Sequence, residues 1–263
     1  MPKTSLIVIP ARMGSSRYPN KPLARILGTT MIERVWRIGC ASTEADEVVI
    51  ATDSIEIKQH AESFGAKVVM TPSDCPTGSD RVADTAKLLG DKFDICFSLQ
   101  GDAVLTPPWV IDDVIRVMLQ ESNARIATPA VLLKGDTLAQ YYAAKQAKAS
   151  SGTSVVFDKN HNALYFSNTF LPHPRQGLKE NLPIYRHIGL YGYQRETLEQ
   201  FRHLPEGKLE KVEQLEQLRA LENGIPIRVV IVDYQGRTHG SVDCPEDIAK
   251  VETIIRKEGE LVL

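Results

Sequence analysis

The chain has 263 residues, a formal charge of −2 at pH 7 and 43% hydrophobic residues. That length can bury one large α/β domain, or a domain plus an appendage. Near-neutrality argues against a nucleic-acid partner, and no apolar run is long enough to span a bilayer.

The first apolar run, Leu6–Ile9, reads as a buried strand at the very start of the chain, so no signal peptide is visible. The chain leaves it through Pro10-Ala11-Arg12-Met13-Gly14-Ser15-Ser16-Arg17-Tyr18-Pro19-Asn20-Lys21-Pro22-Leu23. This loop fits neither the Walker pattern nor Gly-x-Gly-x-x-Gly. Its single glycine and three spread cations, Arg12, Arg17 and Lys21, suit a long polyphosphate. The bland alternative is a polar turn with solvated cations.

An amphipathic helix is expected from Met31, with Ile32, Val35, Trp36 and Ile38 inward. Val48–Ala51 is the next strand, and Ile55–Phe64 a helix stopped by Gly65. Lys67–Met70 is a strand, Asp80–Leu89 a helix ending at Gly90, and Ile95–Leu99 a strand running into Gln100-Gly101-Asp102. Pro107–Leu119 reads as a helix opened by proline. This alternation predicts a mainly parallel sheet with helices on both faces. Ligands then sit at the carboxyl ends of the strands, where the Arg12–Lys21 loop and Asp102 should meet.

From about Ile126 the rhythm changes. Thr153–Asp158 and Ala163–Ser167 flank a hairpin turn at Lys159-Asn160-His161-Asn162, and His187–Tyr193 reads as one strand. Residues 171–186 read as loop, Lys211–Glu222 as a strong helix, Ile227–Val232 as a strand and Pro245–Lys257 as a closing helix. The division expected is a nucleotide-binding α/β core over 1–125 and 211–263, with a smaller antiparallel insertion over 126–210. Cys40, Cys75, Cys96 and Cys244 are scattered and share no ligand spacing with the six histidines. They read as reduced, mostly buried residues of a cytoplasmic protein, and no zinc site is expected.

Asp102, at a strand end, is placed to hold a hard divalent cation against phosphate oxygens, and so is Asp243 before the last helix. Read alone, Asp102 is a turn residue and Asp243 a helix N-cap. Thr77-Gly78-Ser79-Asp80-Arg81 is a glycine turn before a helix. A lone His187 on an apolar strand is more often a core histidine, and Glu216 could be solvated on a helix whose apolar face is Val212, Leu215, Leu218 and Leu221.

Together these segments resemble the CMP-sugar synthetases, and most nearly the 3-deoxy-manno-octulosonate (Kdo) cytidylyltransferase family. The loop resembles Pro-Ala-Arg-x-x-Ser-Ser-Arg-x-Pro-x-Lys-Pro-Leu. Val242–Asp247 resembles Val-Asp-Thr-Pro-Glu-Asp, with Cys244 for Thr, and 77–81 resembles Ser-Gly-Thr-Asp/Glu-Arg. Residues 186–193 resemble Arg/Lys-His-Leu-Gly-Ile-Tyr-Gly-Tyr, and 215–221 resemble Leu-Glu-Gln-Leu-Arg-x-Leu.

The resemblance implies a Rossmann-like nucleotidylyltransferase fold with a mixed, mainly parallel sheet. It implies coupling of CTP to a Kdo-like acidic sugar, giving the CMP-sugar and pyrophosphate, in a homodimer serving lipopolysaccharide synthesis. By the same resemblance Arg12, Arg17, Lys21, Arg81 and Gln100 bind the nucleotide, and Asp102 and Asp243 hold Mg²⁺. Arg12, Lys21 and the two acids carry catalysis, while Arg175, His187, Tyr191, Glu216 and Gln217 face the sugar. The chain departs from the family at Asn168, where an arginine is expected to hold the sugar's carboxylate. It departs again at Ser154 of the Val-Lys-Val-Val segment and at Ala103-Val104 after Gly-Asp. Either Arg175 and Arg186 bind the acid instead, or the substrate is a modified Kdo-like acid. Two alternatives are a nucleotide-sugar-dependent glycosyltransferase, which needs an Asp-x-Asp-like pair, and an inactive nucleotide-sensing homologue, against which Arg12, Lys21, Asp102 and Asp243 together argue.

Overall fold

The computed structural model describes residues 3–14, 18–90, 92–147, 152–179 and 181–262. Among them a 10-stranded sheet forms the centre. The strands β1 (Ser5–Ala11), β4 (Glu47–Thr52), β5 (Lys67–Met70) and β6 (Ile95–Ser98) lie in the parallel order β5-β4-β1-β6. Both faces are covered, so β1 is apolar from Leu6 onward. Leu6 and Val8 point into one core cluster, and Ile7 and Ile9 into the other. Helices α1 (Met31–Cys40), α2 (Ile55–Ser63), α4 (Pro108–Gln120) and α9 (Glu246–Glu258) pack on the Ile7 face. Helices α3 (Gly78–Leu88), α6 (Arg195–Arg202) and α8 (Leu218–Glu222) pack on the other. A short hairpin, β2 (Arg25–Ile26) and β3 (Thr29–Thr30), precedes α1.

The middle block extends the same sheet with antiparallel strands. β7 (Ile126–Leu132) pairs in parallel with β12 (Ile227–Ile231) and antiparallel with β10 (Tyr185–His187) and β11 (Tyr191–Gln194). β11 bridges β6 to β7, while β10 leads to β8 (Thr153–Phe157) and β9 (Ala163–Ser167). The hairpin at 158–162 turns back onto β12, where Val229 N donates to His161 O at 2.8 Å.

Three sequence expectations need correction. The single strand over 187–193 is broken at Ile188-Gly189-Leu190, because its first part pairs beside β8 and its second beside β6. The helix over 211–222 is two short helices, α7 (Lys208–Glu213) and α8, separated by Gln214 in the left-handed region at φ 55°. That break leaves Val212 83% exposed and turns Glu216 inward, overriding the apolar spacing. Cys75 and Cys96 are buried as expected, but Cys40 is exposed. Helices α5 (Gly135–Gln146) and α6 were not anticipated; α5 has a weak apolar stripe, with only Leu138 and Tyr141 buried.

Candidate active site

The site forms where β1 and β6 end side by side. Leu99 N donates to Val8 O at 3.0 Å, which carries both chains out of the sheet together. A cavity of about 320 Å³ opens there, with Arg12, Lys21, Thr77, Arg81, Gln100 and Asp102 in its wall. The approach is tight at Gly101, where an added Cβ would lie 3.0 Å from Pro10 O. Any side chain here would crowd the Pro10 carbonyl, so glycine lets β6 deliver Asp102 beside β1 without a shift.

Lys21 opens a short 3₁₀ turn, Lys21–Leu23, and its Nζ lies 2.5 Å from Asp102 Oδ2. The wall opposite is the start of α3. Thr77 and Asp80 form a reciprocal capping box there: Thr77 Oγ1 accepts from Asp80 N at 3.2 Å, and Asp80 Oδ2 accepts from Thr77 N at 3.1 Å. Arg81 is 2% exposed and donates to Thr71 Oγ1, with Asp53 Oδ2 at 3.5 Å. Its guanidinium is thus fixed before any ligand arrives. Gln100 donates from Nε2 to Ser98 Oγ at 3.3 Å. Cys75 also lines the cavity, but burial and the Asp84 carboxylate push its thiol up to about 11, so it is no nucleophile at neutral pH.

Asp243 is not in the cavity wall, yet its neighbour Val242 donates from N to Asp102 O at 3.4 Å, so the two acids lie on adjoining segments. Asp243 does not cap α9. Asp247, in the first turn of α9, reaches back to the segment before the helix, its Oδ2 accepting from Asp243 N at 3.0 Å and Cys244 N at 3.1 Å, with Lys250 holding its carboxyl well below the usual range. Arg17 lies outside the described residues.

The residues expected on the sugar side are more buried. Glu216 Oε2 accepts from Ser79 Oγ at 3.0 Å, which ties it to the loop that lines the cavity, while Oε1 has no partner. Burial raises its carboxyl pKa. Gln217 is 7% exposed with Nε2 unpartnered. His187 lies 2.8 Å from Thr128 Oγ1 and edge-on to Phe166. The Thr128 hydroxyl proton is committed to Leu190 O at 2.7 Å, so His187 Nε2–H donates to Thr128. Burial lowers the imidazole to about 3, so it is neutral. The Tyr191 ring stacks 5.5 Å from His187. Arg175 sits exposed on the 168–184 loop and is not in the cavity wall. Asn168 is exposed, is not in the cavity wall, and donates from Nδ2 to Glu213 O at 2.5 Å. Sequence reasoning missed Lys145, Tyr141, Tyr234 and His239, which gather near Arg186; they stand on the unanticipated α5 and on a loop with no apolar period.

The cytidylyltransferase family model matches residues 6–230. A 3-deoxy-manno-octulosonate cytidylyltransferase from Maricaulis maris is 51% identical over 98% of this chain and 99% of its own. An 8-amino-3,8-dideoxy-manno-octulosonate cytidylyltransferase from Shewanella pealeana is 41% identical over 92% and 94%. A solved CMP:2-keto-3-deoxy-manno-octonic acid synthetase complexed with CTP superposes with a TM-score of 0.85 at 33% identity, covering 97% of this chain and 100% of that one. No helix among the described residues is long and apolar enough to cross a membrane. Fold, cavity and relatives agree, and the chain belongs to the cytidylyltransferase family, in the branch that holds the 3-deoxy-manno-octulosonate cytidylyltransferases.

Proposed function

We propose that this protein transfers CMP from CTP to the anomeric hydroxyl of Kdo or a modified Kdo-like acid, releasing pyrophosphate. The observation that carries this reading is the convergence of Arg12, Lys21, Arg81, Gln100 and Asp102 in one cavity at the ends of β1 and β6. Arg12 and Lys21 neutralise the triphosphate as negative charge shifts onto the leaving pyrophosphate. Arg17 shares this role. Gln100 and the Thr77–Arg81 loop read the cytosine edge, with Arg81 a fixed wall. His187, Tyr191, Glu216, Gln217 and Arg175 serve the sugar, with Glu216 Oε1 free to accept from a sugar hydroxyl.

Asp102 and Asp243 fit magnesium. Both offer hard oxygen and stand on segments joined by the hydrogen bond from Val242 N to Asp102 O, and phosphate oxygens and water would complete the ion. When bound, the ion would polarise the α-phosphate and screen its charge.

Residues 126–210 form the sugar-binding and dimerising part of this proposal. The exposed Leu164 on β9, at the end of the strand order, supports a homodimer contact there. A cytoplasmic location and a role in lipopolysaccharide synthesis complete the reading, as the family resemblance implies. The glycosyltransferase alternative fares worse, because the positions after Asp102 are the buried Ala103 and Val104.

The test is pyrophosphate release from CTP with a panel of acidic and neutral sugars, the products identified by mass spectrometry. The reading expects CMP adducts of 3-deoxy-octulosonic acids. Release with neutral sugars alone, or with none, would overturn it.

A further inference from the structure

Arg186 stands on β10 between Val131 of β7 and Ser154 of β8. Its guanidinium is largely buried, its Nε has no partner, and no carboxylate pairs with it among the described residues. A buried cation without an anion is costly unless a ligand completes it. A second cation comes to the same place. Gly152 lies against Arg186, since an added Cβ there would be 2.7 Å from Nε, and Lys145 Nζ donates to the carbonyl of that same glycine. Lys145 also donates to Asn168 O at 2.8 Å. Repulsion from Arg186 adds to burial in lowering the Lys145 pKa. The Glu213 carboxylate, which attracts Lys145, is already bound by Ser167 Oγ at 2.7 Å and Asn168 N at 2.9 Å.

The loop after β12 brings two more polar groups within reach of the Arg186 charge. It is pinned at Ala130, where Val232 N donates at 3.0 Å, and at Asp102, where Val242 N donates at 3.4 Å. Between those pins stand Tyr234, 5% exposed with no hydrogen-bond partner on its hydroxyl, and His239, whose Nδ1 is also unpartnered. Their rings meet edge-on at 5.6 Å. Burial and the Arg186 charge hold His239 at about 3, hence neutral.

We propose that Arg186 and Lys145, with Tyr234 and His239, form the subsite for the carboxylate of the sugar acid. Beside Arg186, which the family motif also carries, Lys145, Tyr234 and His239 take the place of the side chains that the resemblance leads one to expect at positions 154 and 168, now Ser154 and Asn168. The Ser154 hydroxyl is engaged within the fold: Oγ donates to Thr169 O at 2.7 Å and lies 3.0 Å from Tyr141 OH on α5, the helix that also supplies Lys145. This inference rests on the proposed transfer to an acidic sugar.

The test compares 3-deoxy-manno-octulosonate with its C1 carboxamide, with CTP saturating, in the parent and in Arg186→Met, Lys145→Met and Tyr234→Phe. Tyr234→Phe removes only a hydroxyl and keeps the test alive if Arg186→Met fails to fold. The parent should favour the acid over the amide by about tenfold or more, as one charge-assisted contact allows. Arg186→Met should bring that ratio near one by raising the sugar KM, with the CTP KM within about twofold; Lys145→Met and Tyr234→Phe should lower it by smaller factors. An undiminished ratio in folded Arg186→Met and Lys145→Met, or a rise in the CTP KM instead, overturns the subsite and leaves the transfer reading standing. If the parent makes product from neither the acid nor other sugar acids, the transfer reading falls and the subsite with it.

Discussion

The two halves of the site differ in how their polar groups are satisfied. On the nucleotide side the charged groups of the open cavity include pairs already formed: Lys21 with Asp102 at 2.5 Å, and Arg81 with Asp53 at 3.5 Å. On the proposed sugar side the groups are buried and short of partners, as at Glu216 Oε1, Gln217 Nε2, Arg186 Nε, Tyr234 OH and His239 Nδ1. A wall built from satisfied pairs holds its shape before the ligand arrives. A wall of buried, unsatisfied groups strongly favours the one ligand that completes it, because a ligand lacking the matching group leaves them unpaired.

The largest effect should come from breaking the nucleotide side. Asp102→Asn should cut turnover by about 10³-fold while leaving thermal unfolding near that of the parent. Activity within a few fold of the parent would remove Asp102 from the reaction. Nucleotide choice sharpens the same side: kcat/KM should favour CTP over UTP by roughly 10²-fold, since their pyrimidine edges reverse donor and acceptor. Equal use would show that Gln100 and the Thr77–Arg81 loop do not read the base.

A smaller effect is expected where the backbone is crowded. Gly101→Ala should raise the CTP KM by about tenfold, as overpacking against Pro10 O shifts Asp102. An unchanged KM would mean the strand ends have slack.

The smallest effect tests the buried side through pH. His187 and His239 each have a folded pKa near 3, below the ordinary 6.5. Their stabilisation is therefore fully present above about pH 6.5 and is lost as the pH falls toward 3, because the unfolded chain takes up the protons first. Each should contribute about 1.4 kcal/mol per pH unit to that slope. Denaturant unfolding of His239→Gln between pH 6 and pH 4 should show a slope shallower than the parent by about that amount. An identical slope would show that His239 is not held neutral.

The nucleotide side was legible because strand ends announce themselves. Continuous apolar runs set β1 and β6, and the small and charged residues after each run had nowhere to go but the sheet's edge. The sugar side was not, for three reasons. The chain over 187–193 changes neighbours from β8 to β6, which no local pattern records. Gln214 adopts a left-handed conformation in a sequence that favours continuous helix, and this aims Glu216 at Ser79. Helix α5 carries Lys145 and Tyr141 on a stripe too weak to be seen as period. The bland reading of His187 as a core histidine describes its surroundings well, packed against Phe166 and bonded to Thr128.

Transfer of CMP breaks the bond between the α- and β-phosphates of CTP. Parallel reactions with CTP labelled at the α- or the γ-phosphorus, and a 3-deoxy-octulosonic acid as acceptor, test it directly. CMP transfer should put α-label in the sugar nucleotide and γ-label in pyrophosphate, in equal amounts. Gamma-label in orthophosphate, or α-label that never reaches the sugar, would contradict it.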